Sequence, residues 1–272
     1  MGLLDGKVAF ITGAARGQGR SHAQRLAQEG AAIIAVDVAD RVSQHEGYPP
    51  ATAADLKETV KLVEKNGGRI VAGTADVRDS EALGQVLGQG VAEFGGRLDV
   101  VVANAGVVSW GRFWEMSDEQ WKSMIDVNLT GVWRTLKAAV PHMLAAGNGG
   151  SIITISSVAG LKSLPGQAHY SAAKHGVVGL TKSAAIELGE YGIRVNSIHP
   201  WGVSTVMATE DTHMGELLSA HPNYGMSYAS ALPGLPLAEP DDISDAVVYL
   251  ASELSRAVTG TQLTVDMGAT KM

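Results

Sequence analysis

The chain has 272 residues, 45% of them hydrophobic, no cysteine and a formal net charge of −7. That length and apolar fraction fit one domain with a real core, and the missing cysteines exclude disulfides, thiolate metal sites and Cys nucleophiles. The acidic balance argues against nucleic acid or an anionic membrane as partner, and without a membrane-length apolar run or a signal peptide a cytoplasmic location is expected.

Residues 7–11 (KVAFI) are a short apolar run opening onto Thr12-Gly13-Ala14-Ala15-Arg16-Gly17-Gln18-Gly19. A helical pattern follows to Gly30, then a second apolar run, 31–36 (AAIIAV), stopped by Asp37. This is a βαβ unit with a Gly-rich first turn. Residues 38–51, with Arg41, His45, Tyr48 and Pro49-Pro50, exceed the usual strand-to-helix connection of about 2–6 residues, so they read as an insertion with its own role. A capping box at Thr52 to Asp55 starts a helix to about residue 66. Strands at 69–73, 98–103, 151–155, 194–198 and 262–265 alternate with helices at 80–94, 117–146, 168–190 and 239–251. Residues 199–237 read as loop. Continuous rather than alternating apolar strands predict a parallel seven-stranded sheet covered on both faces. The fold class is α/β, a doubly wound, three-layer Rossmann-type sheet, with ligands at the carboxyl ends of its strands. No linker is visible, so residues 1–272 read as one domain. Dinucleotide binding falls mainly in 1–150, and catalysis and substrate binding mainly in 107–114 and 151–240.

The Gly-rich turn has a physical meaning. Gly13 permits a tight turn, Gly17 a close approach of backbone to ligand, and Gly19 close helix packing, while free amides at the helix start suit a pyrophosphate. Asp37, ending the second strand, can accept both ribose hydroxyls of an adenosine and would repel a 2′-phosphate, so NAD is preferred to NADP. Arg16 pulls the other way, and the alternative role for Asp37 is a helix-entry cap. Asp76 can reach an adenine amine or cap a loop. Asn104-Ala105-Gly106 gives a close backbone approach or a simple turn.

Tyr170 and Lys174 are four apart in an Ala-rich helical segment, so they share one face. Ser157 stands thirteen residues before Tyr170. A phenol ionises near pH 10, and a nearby cation lowers that value. Reaching neutrality needs on the order of 4 kcal/mol, which one ammonium does not easily supply, so a second positive charge is wanted. Taken alone, a Tyr–Lys pair at this spacing is common in helices by chance. No Walker loop, His-Glu-x-x-His or nucleophile elbow occurs. His169 reads as packing or surface.

Together TGAARGQG, Asp76-Val77, ANAG at 103–106, Asp126-Val127-Asn128, Ser157, YSAAK at 170–174 and Arg194-Val195-Asn196 resemble the short-chain dehydrogenase/reductase family over nearly the whole chain. The resemblance implies a catalytic set of Ser157, Tyr170, Lys174 and Asn128. Lys174 would also hold the nicotinamide ribose, and Asn128 a water passing protons to solvent. Implied NAD contacts are Gly13, Arg16, Gly17, Gln18, Gly19, Asp37, Val38, Asp76, Val77, Asn104, Ala105, Gly106, Tyr170, Lys174, Pro200, Val203 and Thr205, with no metal. A homotetramer is the usual family assembly. Departures are Ala103 for a first Asn, Trp201 after Pro200, and one Gly at 268 where two are commoner.

GAARGQGRSHA, IIAVD, YPPAT, DVRD, VVANAG and the HP-x-x-V-x-T-x-M pattern at 199–207 are more narrowly similar to the mycofactocin-associated, carveol-dehydrogenase-like group. That similarity implies NAD held without exchange under the insertion and re-oxidised by a peptide-derived carrier, mycofactocin. The reaction expected is oxidation of a secondary alcohol, terpene-like or alicyclic, to its ketone. The substrate wall is expected from 107–113 and 201–237, including Trp201, Met207, Met214 and Met226. An NADPH-dependent ketone reductase and a non-catalytic dinucleotide sensor are the alternative readings.

Overall fold

The computed structural model describes residues 2–272. Seven strands form one parallel sheet in the order β3-β2-β1-β4-β5-β6-β7. They are β1 Val8–Thr12, β2 Ala32–Asp37, β3 Ile70–Thr74, β4 Val100–Ala103, β5 Gly150–Ile155, β6 Ile193–Pro200 and β7 Gln262–Val265. The order reverses between β1 and β4, and a crevice opens there beyond the strand ends.

β1, β2 and β4 are buried at every position, as the unbroken apolar runs require when helices cover both faces. Successive side chains face opposite layers. Ala9 and Ile11 join a core with Leu26, Val63, Ile243 and Val247. Val8 and Phe10 join the other core, with Leu83, Leu87, Leu136 and Met143. The first layer thus holds α1 (Gly17–Gln28), α2 (Ala53–Lys65) and a C-terminal helix, Pro240–Ala251. The second holds α3 (Ser80–Glu93), α4 (Asp118–Ile125), α5 (Gly131–Ala146) and α6 (Ala168–Leu188).

Local signals explain the helix ends. Thr52 Oγ1 accepts from Asp55 N at 3.2 Å while the Asp55 carboxylate accepts from Thr52 N at 2.8 Å, which closes the expected capping box. Ser117 caps α4 through Gln120 N, and α5 ends on left-handed Gly147.

Three elements differ from the sequence reading. The helix expected over 117–146 is interrupted by a π-helical turn, Asp126–Thr130, between α4 and α5; such turns mark functional positions. β6 runs on through His199 and Pro200, which pair with Thr264 and Val265. The segment read as loop contains two short helices, α7 (Val206–Thr209) and α8 (Thr212–Ala220), and a 3₁₀ turn, Pro222–Tyr228. The C-terminal helix Pro240–Ala251 is therefore α9. Among the described residues no helix is long and apolar enough to cross a membrane.

Candidate active site

A cavity of about 450 Å³ lies at the strand carboxyl ends, running from the glycine-rich turn after β1 to Tyr170. All seventeen residues expected to touch a dinucleotide line it, and so does Ser157. Asn128 does not; it stands behind the wall, fully buried.

The turn is built around two glycines. Gly13 has φ +68°, and a Cβ there would meet the Ala105 Cα at 2.8 Å. A Cβ on Gly19 would stand 2.0 Å from the Gly13 carbonyl oxygen. The Thr12 hydroxyl accepts from the amides of Asn104 and Ala105 at 3.1 Å each, and Asn104 Nδ2 donates to the Thr12 carbonyl at 2.9 Å. These bonds lock the β1 turn to the β4 turn, with Ala103 buried in the strand before it. Asp37 accepts from Ala15 N and from Ala39 N, both at 2.9 Å. It therefore braces the turn and caps no helix, since the N-caps of α1 and α2 are Arg16 and Thr52, and each oxygen still has a lone pair for a hydroxyl.

Arg16 is tied to the insertion. Its guanidinium donates to the carbonyls of Pro49 and Pro50 in the insertion. The Asp76 carboxylate is likewise engaged, by Arg78 Nε and Nη2 and by the Arg78 amide. It sits below the usual carboxylate range: burial raises it, and the Arg78 hydrogen bonds and charge more than offset that. Asp76 thus offers an adenine amine a shared acceptor.

The insertion folds over the cavity as a strap. Besides Arg16, Arg78 donates to the Val42 carbonyl at 3.3 Å. The Tyr48 phenol oxygen accepts from Val108 N at 3.1 Å, and Gly47 O accepts from Thr212 N at 3.4 Å. Tyr48 is buried, and burial pushes its phenol well above the usual range.

At the far end, α6 carries Tyr170 and Lys174 on one face, with the Lys174 Nζ 5.4 Å from the Tyr170 ring centre. Nζ donates to the Ile155 carbonyl at 2.9 Å. Burial lowers Lys174 to about 8. Burial also pushes Tyr170 up to about 12, and the Ser157 hydroxyl beside it pulls it down. Two adjacent serines compete for the role of substrate contact, and the structure separates them. The Ser156 hydroxyl donates to the Lys174 carbonyl at 3.0 Å, whereas Ser157 faces Tyr170 and accepts from Ala159 N at 3.1 Å.

The π turn aims Asn128 inward. Its Oδ1 accepts from Val107 N at 3.2 Å, and its Nδ2 donates to the carbonyls of Val107 at 3.0 Å and Met124 at 3.1 Å. The amide braces the chain after β4, where the sequence reading expects a water ligand. A Cβ on Gly106 would lie 2.8 Å from Asn128 Oδ1 and 3.6 Å from Lys174 Nζ, so this glycine is required by close approach.

His199 is a part the sequence reading missed. Fully buried, its Nδ1–H donates to the Ser157 carbonyl at 2.7 Å, and Nε2 accepts from the Ser197 hydroxyl at 2.9 Å. Burial lowers it to about 4, so the ring is neutral and this tautomer is fixed. The signal was its position beside Pro200, hidden by assigning both to a loop. His169 is a packing residue, as expected: buried, neutral, with Nε2 2.9 Å from the Ser109 hydroxyl.

The substrate end is lined by Val108, Trp110, Leu164, Trp201, Met207 and Met214. Phe113 and Met226, expected in this wall, are 67% and 85% exposed and lie outside it. Phe113 in the loop after β4 and Met226 in the 3₁₀ turn are turned largely to solvent.

The residues fit a dinucleotide. Gly13 and Gly19 let the turn close against Ala105 and against its own carbonyl, the turn residues Gly13, Arg16, Gly17, Gln18 and Gly19 line the cavity, and an acidic group, Asp37, stands at the end of β2. A family model described as enoyl-(acyl carrier protein) reductase matches residues 13–270. An uncharacterized NAD-dependent oxidoreductase of Mycobacterium tuberculosis is 55% identical, covering 99% of this chain and 98% of the relative. The (−)-trans-carveol dehydrogenase of Rhodococcus erythropolis is 48% identical, covering 99% of each. A crystal structure of a short-chain dehydrogenase from Mycobacterium paratuberculosis bound to NAD superposes with a TM-score of 0.97 at 48% identity over the whole of both chains. The chain belongs to the short-chain dehydrogenase/reductase family.

Proposed function

We propose that this chain reversibly oxidises a secondary alcohol to its ketone, with NAD as cofactor and Tyr170 as general base. The observation that carries the reading is the meeting of Ser157, Tyr170 and Lys174 on the cavity into which the glycine-rich turn opens. Cofactor choice follows from charge. Asp37 would repel a 2′-phosphate, and the one cation in the turn, Arg16, is engaged by the strap.

Bound NAD supplies the two-electron acceptor and a positive charge. The chain's own groups then act on the alcohol. Burial alone holds Tyr170 near 12, so it is a base only when positive charge gathers round it; Lys174 is one such charge. Tyr170 takes the carbinol proton at its phenol oxygen. Ser157 Oγ donates to the substrate oxygen and stabilises charge developing there. Lys174 would hold the ribose side of the cofactor, with Pro200, Val203 and Thr205 lining the same end of the cavity. Asn128 keeps Val107 fixed, and with it one wall of the site.

The substrate we infer is a terpene-like or alicyclic alcohol. The apolar aromatic wall supports this, as does the similarity to a carveol dehydrogenase. The strap supports retention of NAD, with mycofactocin as the redox partner that re-oxidises it. A single sheet that takes strands from early and late in the described residues supports reading 1–272 as one domain. A homotetramer agrees with exposed Trp121, Trp133 and Ile186 on α4, α5 and α6, and a cytoplasmic location with the redox carrier. The test is dialysis of purified protein followed by carveol. NAD should stay bound and become reduced, with multiple turnovers only when mycofactocin or an artificial acceptor is added. Loss of NAD on dialysis, with free turnover on added NAD, would overturn retention. Failure to reduce NAD with any secondary alcohol would overturn the activity.

A further inference from the structure

We propose that Gln167 is a second polar anchor in the substrate chamber. It selects neutral alicyclic alcohols that carry another oxygen across the ring from the carbinol. The inference rests on the reading of Tyr170 as the base.

Gln167 stands three residues before Tyr170 and seven before Lys174, at the N-cap of α6. That spacing puts all three side chains on one stripe. Lys174 points toward Gly106 and Asn128, the cofactor side. Gln167 therefore lies one turn the other way, displaced by about 4.5 Å along the helix axis. That displacement sets the amide apart from the reacting carbon and leaves it for a second substituent of the substrate.

Its surroundings set it apart. Gln167 is 6% exposed, lines the cavity, and its side-chain amide has no hydrogen-bond partner among the described residues. Its polar atoms keep contact with cavity solvent, so water answers them until a ligand group takes its place. The other polar groups of this wall are already engaged. The Tyr228 hydroxyl donates to the Pro165 carbonyl, and the Tyr48 oxygen accepts from Val108 N. Asp211 accepts from Trp110 Nε1 at 2.9 Å and from His213 N at 2.9 Å. Beyond Ser157, and among the described residues of this wall, Gln167 offers both a donor and an acceptor without a protein partner. A hydroxyl or ketone oxygen can meet either. A carboxylate would meet Asp211 in the same wall and be repelled.

The test compares kcat/KM for trans-1,4-cyclohexanediol, cyclohexanol and trans-4-hydroxycyclohexanecarboxylate. An artificial electron acceptor is present, and wild type is run beside Gln167→Leu and Gln167→Met. Bound NAD and thermal midpoint are measured on each protein. Wild type should prefer the diol over cyclohexanol by about tenfold, the weight of one hydrogen bond. It should use the carboxylate least. In both variants the diol-to-cyclohexanol ratio should fall about tenfold with NAD content retained. A wild type without that preference, or a ratio unmoved by the substitutions, overturns the anchor while leaving the alcohol-oxidising activity intact. A carboxylate used faster than the diol overturns the restriction to neutral substrates. A wild type inert toward every alcohol overturns the underlying activity, and the anchor with it.

Discussion

Lys174 is held in a state that opposes its own charge, and Lys174→Met exposes how much. The side chain is 3% exposed, its Nζ donates to one carbonyl at 2.9 Å, and no carboxylate pairs with it among the described residues. Burial lowers it from 10.5 to about 8. That gap corresponds to about 3 kcal/mol. The sign follows from proton counting. Between pH 8 and 10.5 the unfolded chain still holds the lysine proton and the folded chain has released it, so stability rises with pH across that window. Below pH 8 the whole cost is present. The methionine variant has no such group. Its stability at any single pH also reflects the lost bond to Ile155, which is worth about 1 kcal/mol, so the quantity to follow is the difference between the two proteins. Urea unfolding of cofactor-stripped wild type and Lys174→Met is run in parallel from pH 7 to 10.5. Wild type should gain about 3 kcal/mol on the variant. For a domain this large that is about 6–10 °C in thermal midpoint. A difference that stays flat with pH, or that falls, would refute the reading of Lys174 as a desolvated ammonium.

Other perturbations separate the parts of the site. Asp37→Ala removes the acceptor for Ala15 N and Ala39 N. NAD affinity should fall at least about tenfold and the preference over NADP should narrow, as read by titration of stripped protein with each nucleotide. Arg16→Ala frees the strap at Pro49 and Pro50, so NAD should leave into dialysis buffer about tenfold faster than from wild type; an unchanged rate would discount the strap as a latch. His199→Asn keeps an amide hydrogen where Nδ1–H meets the Ser157 carbonyl, while His199→Gln offers its amide toward Ser197 instead. Turnover should survive in the first and fall about tenfold in the second, with NAD content equal; equal turnover in both would remove His199 as the group positioning Ser157.

The fold was legible because its signals are local and repeated. Unbroken apolar runs such as 31–36 need both faces covered, and glycines, capping boxes and Pro240 mark the element ends. The site was legible where chemistry depends on spacing, as in the glycine turn, Asp37, and Tyr170 with Lys174. What escaped depends on contacts between distant segments. Nothing near Arg16 in sequence says that its partners are Pro49 and Pro50, and nothing near Ser157 points to His199. The π turn at 126–130 carries no composition signal, yet it turns Asn128 behind the wall to hold Val107. Phe113 and Met226 show the opposite error, since apolar character alone cannot distinguish a cavity wall from an exposed surface position. Among the described residues no side-chain charge offsets the burial that holds Tyr170 near 12, so under the proposed reaction the pair is poised only when NAD is bound.

Tyr170→Phe tests the assignment of the base most directly. The substitution removes the phenol oxygen and keeps the ring that packs against Val77, Val107 and Val127. Purified wild type and variant are assayed for bound NAD and then mixed with carveol, following the absorbance of reduced nicotinamide. Both proteins should carry the same NAD, wild type should reduce it, and the variant should leave it oxidised. Reduction at a near-normal rate by the variant would contradict Tyr170 as the base.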